Sequence, residues 1–122
     1  MSMDISEFPP HIQERLLRLQ QRQQTLQTVL MQKQQLEMEL LEVDQTLKEL
    51  DTLTNKTIIY KAIGSLLVKS KRPKITTDLT ERKDLLAMRT KVLSKQEERL
   101  QNQIKELQTK LQQDLRPLSA QS

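Results

Sequence analysis

Thirteen residues in the middle of the chain decide what the rest can be. Thr57 to Lys69 reads T-I-I-Y-K-A-I-G-S-L-L-V-K, β-branched and apolar at both alternating positions, with the chain's one glycine near its centre. That pattern predicts a β-hairpin over 57–69. A two-stranded ribbon is marginal in water, and one with apolar residues on both faces must bury them elsewhere. The flanking sequence offers only narrow helical stems. The covering partner is therefore expected to be another copy or a related subunit.

The flanks read as coiled coil. Between Pro10 and Asp51 there is neither glycine nor proline. Apolar residues fall at Ile12, Leu16, Leu19, Leu26 and Leu30, then at Leu36, Leu40, Val43, Leu47 and Leu50. Both sets follow a heptad seam. They are three residues out of phase, which predicts a local change of winding near Lys33. Pro9-Pro10 suits a helix start, and the poor helix formers of 51–55 suit its end. The expected first helix, 9–52, is roughly 63 Å long at 1.5 Å per residue.

Beyond the hairpin, Lys69 to Lys74 forms a polar exit in which Pro73 is expected to lie outside any helix interior. Asp78, with Glu81 three residues later, makes a capping pair for a second helix over 78–115. Its seam is Leu79, Leu86, Leu93, Leu100, Ile104, Leu107 and Leu111, widened by Leu85 and Val92. Residues 1–8 and 117–122 are expected to be loose. Leu47 with Leu79, Leu40 with Leu86, Leu26 with Leu100 and Leu19 with Leu107 all have numbers adding to 126. A constant total is the mark of helices folding back on each other. The expected fold is mainly α, one domain over 1–122. It is an antiparallel two-helix coiled coil with one β-hairpin inserted at one end and both termini at the other.

Within the hairpin, a turn at Gly64 places Tyr60 opposite Val68. Ile58, Tyr60, Leu66 and Val68 then share one face, and Ile59 and Leu67 the other. With Ile63 and Gly64, these are the candidate assembly residues. At the far end of the stem, Ile5, Phe8, Ile12, Leu16 and Leu17 meet Leu111, Leu115 and Leu118, with Met1 and Met3 nearby. Apolar groups at a free tip suit adaptable binding. They are equally consistent with an apolar staple at a frayed helix end.

Composition narrows the chemistry. Charged residues are 30% of the chain, aromatics 2%, cysteine is absent and His11 is the one histidine. A coiled-coil composition follows. It leaves no catalytic constellation, no metal site and no cofactor motif, so no enzyme is expected. No apolar run approaches the roughly 18 residues of a membrane span, and the N-terminus lacks the pattern of a secretory leader. A soluble, cytoplasmic protein is expected.

The net charge of +4 is unevenly spread. Residues 53–77 hold six basic and no acidic side chains. Lys69, Lys71, Arg72 and Lys74 form a candidate nucleic-acid patch, but Tyr60 is the one aromatic near them that could stack on a base. Basic residues guarding a sticky strand edge explain them better. Gln20, Gln21, Gln23, Gln24, Gln27, Gln32, Gln34 and Gln35 accompany an unbroken heptad pattern, so they belong to a helix face and not to a low-complexity tract.

With these pieces assembled, the chain resembles the β class of the prefoldin family, the archaeal-type hexameric co-chaperones. Ile59-Tyr60-Lys61-Ala62-Ile63-Gly64-Ser65-Leu66-Leu67-Val68-Lys69 is similar to the family's V-Y-K-x-x-G-x-x-x-V-K hairpin. Gln32-Lys33-Gln34 and Gln96-Glu97-Glu98-Arg99-Leu100 are weaker points of resemblance to the family. The basic Lys71-Arg72-Pro73-Lys74 exit departs from the usual pattern. The resemblance implies four β-type and two α-type subunits whose hairpins join as a double β-barrel platform. Six arms would hang from it, hold unfolded polypeptide at their tips and deliver it to a group II chaperonin without ATP. Two other readings of the residues are a structural coiled-coil scaffold assembling through its hairpin and a nucleic-acid binder through 69–74.

Overall fold

The computed structural model describes residues 4–120, with side chains through Arg116. A single 3₁₀ turn, Ile5–Glu7, leads into helix α1, Pro10–Asp51. Strands β1, Ile59–Ile63, and β2, Leu66–Ser70, follow, and helix α2 runs Arg72–Ala120. The expected architecture of two long helices around an antiparallel hairpin is present.

The start of α1 follows from its prolines. The Pro9 carbonyl accepts from the Ile12 and Gln13 amides at 3.0 and 3.1 Å, and Pro10 occupies the first helical position, where no N–H is needed. Residues 4–8 are better organised than the loose segment expected for 1–8. Gln13 Nε2 donates to the Phe8 carbonyl at 2.6 Å and to the Ser6 carbonyl at 3.2 Å, tying the 3₁₀ turn to the helix. At its other end α1 tightens. The Thr52 and Leu53 amides bond three residues back to the Glu49 and Leu50 carbonyls, a common way to satisfy the last carbonyls.

The buried and half-buried positions of α1 recur as 12, 19, 26, 33, 40, 47 and as 15, 22, 29, 36, 43, 50. This is one continuous heptad, so the change of winding expected near Lys33 is not there. The seam residue is Val29, 6% exposed, and not Leu30, which is 40% exposed. Arg15, Arg22 and Lys33 fill seam positions with their aliphatic stems, as long cationic side chains can. In α2 the corresponding positions are 83, 90, 97, 104, 111 and 79, 86, 93, 100, 107, 114.

The chain packs as two compact units, Met1–Gln32 with Leu93–Ser122, and Lys33–Val92. In the first, Ile12, Val29, Leu100, Ile104, Leu107 and Leu111 form the core, and Arg15 pairs with Asp114 across the helices. In the second, Val43, Leu50 and Leu86 are buried. Glu39 pairs with Arg82, Asp44 with Lys83 at 2.8 Å, and Asp51 with Arg72 at 3.8 Å. Between Asp44 and Asp51 the α2 partner steps back from Lys83 to Arg72, so the helices of this unit are antiparallel.

Helix α2 begins six residues earlier than expected and ends later. Pro73 does not exclude a helix, because it sits in the first turn, where its missing N–H and fixed φ cost nothing. The Ile75 amide closes that turn on the Lys71 carbonyl at 3.1 Å. Asp78 is consequently an interior residue and not a cap. Helical backbone also continues past Pro117 to Ala120, beyond the predicted end at 115.

Candidate functional site

The hairpin register differs by one residue from the expected one. Ile59 pairs with Ser70, Tyr60 with Lys69, Lys61 with Val68, Ala62 with Leu67 and Ile63 with Leu66. The loop is therefore two residues, Gly64-Ser65. Gly64 has φ +58° and Ser65 a negative φ, the pattern of a II′ turn, whose twist matches that of the strands. A one-residue slip moves every side chain to the other face. Tyr60 thus shares a face with Ala62, Leu67 and Lys69, and not with Leu66 and Val68. Ile59, Lys61, Ile63, Leu66, Val68 and Ser70 form the opposite face.

One end of this second face leans on the helices. Ile59 and Lys61, together with Tyr60, line a cleft of about 510 Å³ with Thr46, Leu50, Ile75, Asp78, Leu79 and Arg82. Lys61 Nζ lies 3.6 Å from an Asp78 carboxylate oxygen. Arg72 braces the junction. It donates Nε–H to the Leu50 carbonyl at 2.8 Å and an η N–H to Asn55 Oδ1 at 3.2 Å. One of the four cations of the candidate nucleic-acid patch is thus engaged within the fold. From the sequence, Asp78 is expected as a helix cap and Arg72 in a basic patch, and Ile75 has no expected role, because Pro73 is expected to keep the helix from starting before them.

The rest of the ribbon is uncovered. Ile58, Tyr60, Ile63, Leu66, Leu67 and Val68 are 43–72% exposed, Leu67 the most. Both faces contribute to that surface. Of the eight expected assembly residues, Ile59 is half-buried and Gly64 forms the turn.

The candidate tip residues divide. Ile5 and Leu17 are 56% and 58% exposed. Phe8, Leu16 and Leu115 are half-buried. Ile12 and Leu111, at 1% and 5%, are core residues that hold the first unit together, and an open contact surface cannot include them as they stand. The Leu118 side chain and residues Met1 and Met3 lie outside the described residues.

The hydrogen bond and charge of Asp44, aided by Asp84, hold the Lys83 ammonium above its usual range. Among the described residues no group of three His, Asp or Glu could hold a metal ion, and no helix is long and apolar enough to cross a membrane.

Comparison with known proteins gives a uniform result. A family model described as "Prefoldin subunit" matches residues 13–117. The chain is 42% identical over 113 residues to the prefoldin subunit beta of Archaeoglobus fulgidus, covering 93% of this chain and 97% of that one. It is 39% identical to the Pyrococcus furiosus subunit over the same shares. The crystal structure of the prefoldin beta subunit from Thermococcus strain KS-1 superposes with a TM-score of 0.83 at 38% identity, covering 89% of this chain and 96% of that one.

Proposed function

The chain belongs to the prefoldin family as a chaperone subunit of the β type, and from that membership we propose that it captures unfolded polypeptides at coiled-coil tips and passes them to a group II chaperonin. Assembly comes first in this reading. The hairpin joins those of α-type subunits and other β-type copies in a β-barrel platform of a cytoplasmic hexamer. The observation that carries it is the open ribbon, six large apolar side chains at 43–72% exposure on two faces. A lone subunit gains nothing by displaying them, whereas barrel closure removes both the apolar surface and the strand edges.

At the other end, Ile5, Leu17, Phe8, Leu16 and Leu115 supply the client surface. Apolar contact is non-directional, which allows many unrelated clients. Several weak tips acting on one client gain affinity through effective concentration. No bond is made or broken in this cycle, so nucleotide is not required.

The test is suppression of aggregation of a chemically unfolded client by the assembled oligomer, without ATP, with the oligomer mass measured in parallel by native mass spectrometry. Suppression by a hexamer is expected. An oligomer of correct mass that treats unfolded and native clients alike is a scaffold, and the holdase reading then fails.

A further inference from the structure

The outward face of α1 carries no charge over seven turns. Placing the seam of α1 at its two inward heptad positions leaves three outward positions per heptad. From Leu17 to Leu41 these are Leu17, Gln20, Gln21, Gln24, Gln27, Thr28, Met31, Gln34, Gln35, Met38 and Leu41. All eleven are exposed, with Leu17, Met31, Met38 and Leu41 at 58–64%. Outward positions of such a helix are ordinarily charged or polar. Helix α2 uses mainly the charged kind. Over 81–106 its outward positions are Glu81, Asp84, Leu85, Met88, Lys91, Val92, Lys95, Glu98, Arg99, Asn102, Lys105 and Glu106, eight of twelve charged.

We propose that this face of α1 is a track for an extended, unfolded polypeptide. Six glutamines and one threonine share it with four apolar side chains, and both kinds suit such a ligand. An unfolded segment presents unpaired backbone N–H and C=O groups, and a glutamine amide offers one acceptor and two donors to meet them. It presents apolar side chains of no fixed shape, and methionine is the side chain that adapts to irregular partners. A charged side chain at these positions would have to be desolvated on contact, and the eleven carry none, although Glu14, Arg18, Glu37 and Glu42 border the face. The face also begins at Leu17, which belongs to the candidate tip, so a segment held there meets the track without a break. Residues 17 to 41 rise about 36 Å along the helix, the reach of roughly 11 extended residues.

The proposal rests on the holdase reading, and its test separates the two. A benzophenone side chain replaces, one at a time, Met31 on the track, Lys95 at the matching outward position of α2, and Ile5 at the tip. Each assembled full-length oligomer is irradiated with a chemically unfolded client and with its native form. Cross-links from Ile5 and Met31 to the unfolded client alone, with Lys95 at background, are expected. The variant Met31→Glu with Met38→Glu, whose helicity is checked by circular dichroism, is expected to bind that client about tenfold more weakly. Labelling at Ile5 with Met31 at background overturns the track and leaves the tip standing. Background at all three positions overturns the tip as well. A Met31 cross-link to another subunit also overturns the track, because the face is then covered within the assembly.

Discussion

Replacing Leu67 by alanine should weaken assembly while leaving the subunit folded, and the size of the effect can be worked from exposure. Full burial of a leucine side chain is worth roughly 1.5–3 kcal/mol. Leu67 is 72% exposed in the single chain, so most of that contribution is still to be gained when the ribbon is covered. Loss of about 1–2 kcal/mol per subunit is expected, which weakens association by roughly five- to thirtyfold. The chain's own stability should move by no more than about 0.5 kcal/mol, as for other exposed positions. Leu86→Ala is the contrasting control. Leu86 is 0% exposed, and its truncation should cost roughly 2–5 kcal/mol through lost burial and the cavity left behind. The assays are native mass spectra over a dilution series and urea unfolding followed by circular dichroism. Unfolding is read at several protein concentrations, because assembly itself stabilises by mass action. A Leu67→Ala chain that assembles normally yet unfolds as easily as Leu86→Ala would show the ribbon to be internal core, and the reasoning would fail.

Cysteines at Leu26 and Leu100, the latter 8% exposed in the core of the first unit, should oxidise to a link within one chain; dimers on a non-reducing gel would contradict the antiparallel register. Gly64→Ala should destabilise the hairpin by about 1–2 kcal/mol, because the left-handed φ of +58° penalises any Cβ although nothing lies within 4 Å of it; Gly64→Asn should recover part of the loss, and equal loss of oligomer in both variants would refute the turn assignment. Lys83 should titrate above 10.5 because of Asp44. Its raised pKa means that the pair's stabilisation is complete below the unfolded-state value and fades as pH climbs through the folded one. NMR of the Lys83 side chain should show the midpoint falling in Asp44→Asn, and an unchanged midpoint would remove Asp44 as the cause.

The ends of elements were harder to read than their existence, and proline shows why. Pro10 and Pro73 are the same residue type near a helix start. The sequence pattern puts Pro10 inside a helix and Pro73 outside one, because Lys71-Arg72-Pro73-Lys74 is polar and basic. Polarity carries no information about backbone geometry, whereas the missing N–H is as harmless at Pro73 as at Pro10. The one-residue slip in the hairpin has a similar origin. Gly64 marks a turn, but one glycine does not say whether the loop has two residues or three. Only the count of paired strand residues does, and Gly64-Ser65 as a two-residue loop fixes it.

The seam teaches the more general point. Choosing apolar residues alone selects Leu30 over Val29 and skips Arg15, Arg22 and Lys33, which manufactures a phase change that the helix does not have. The lattice is set by the helices, and it admits any side chain whose stem can lie along it. Once the lattice is used in place of the residue types, the outward positions become legible as well. The glutamines of α1 then cease to be filler and become one face of a helix, with Met31 and Met38 among them. Burial separates the tip candidates in the same way. Ile12 and Leu17 are both apolar and five residues apart, yet the first is 1% and the second 58% exposed. A five-residue step turns an α-helix by about 140°, from the seam to the outside. Hydrophobicity could name both residues as candidates, but only their angle around the helix distinguishes the one that holds the fold from the one free to touch a client.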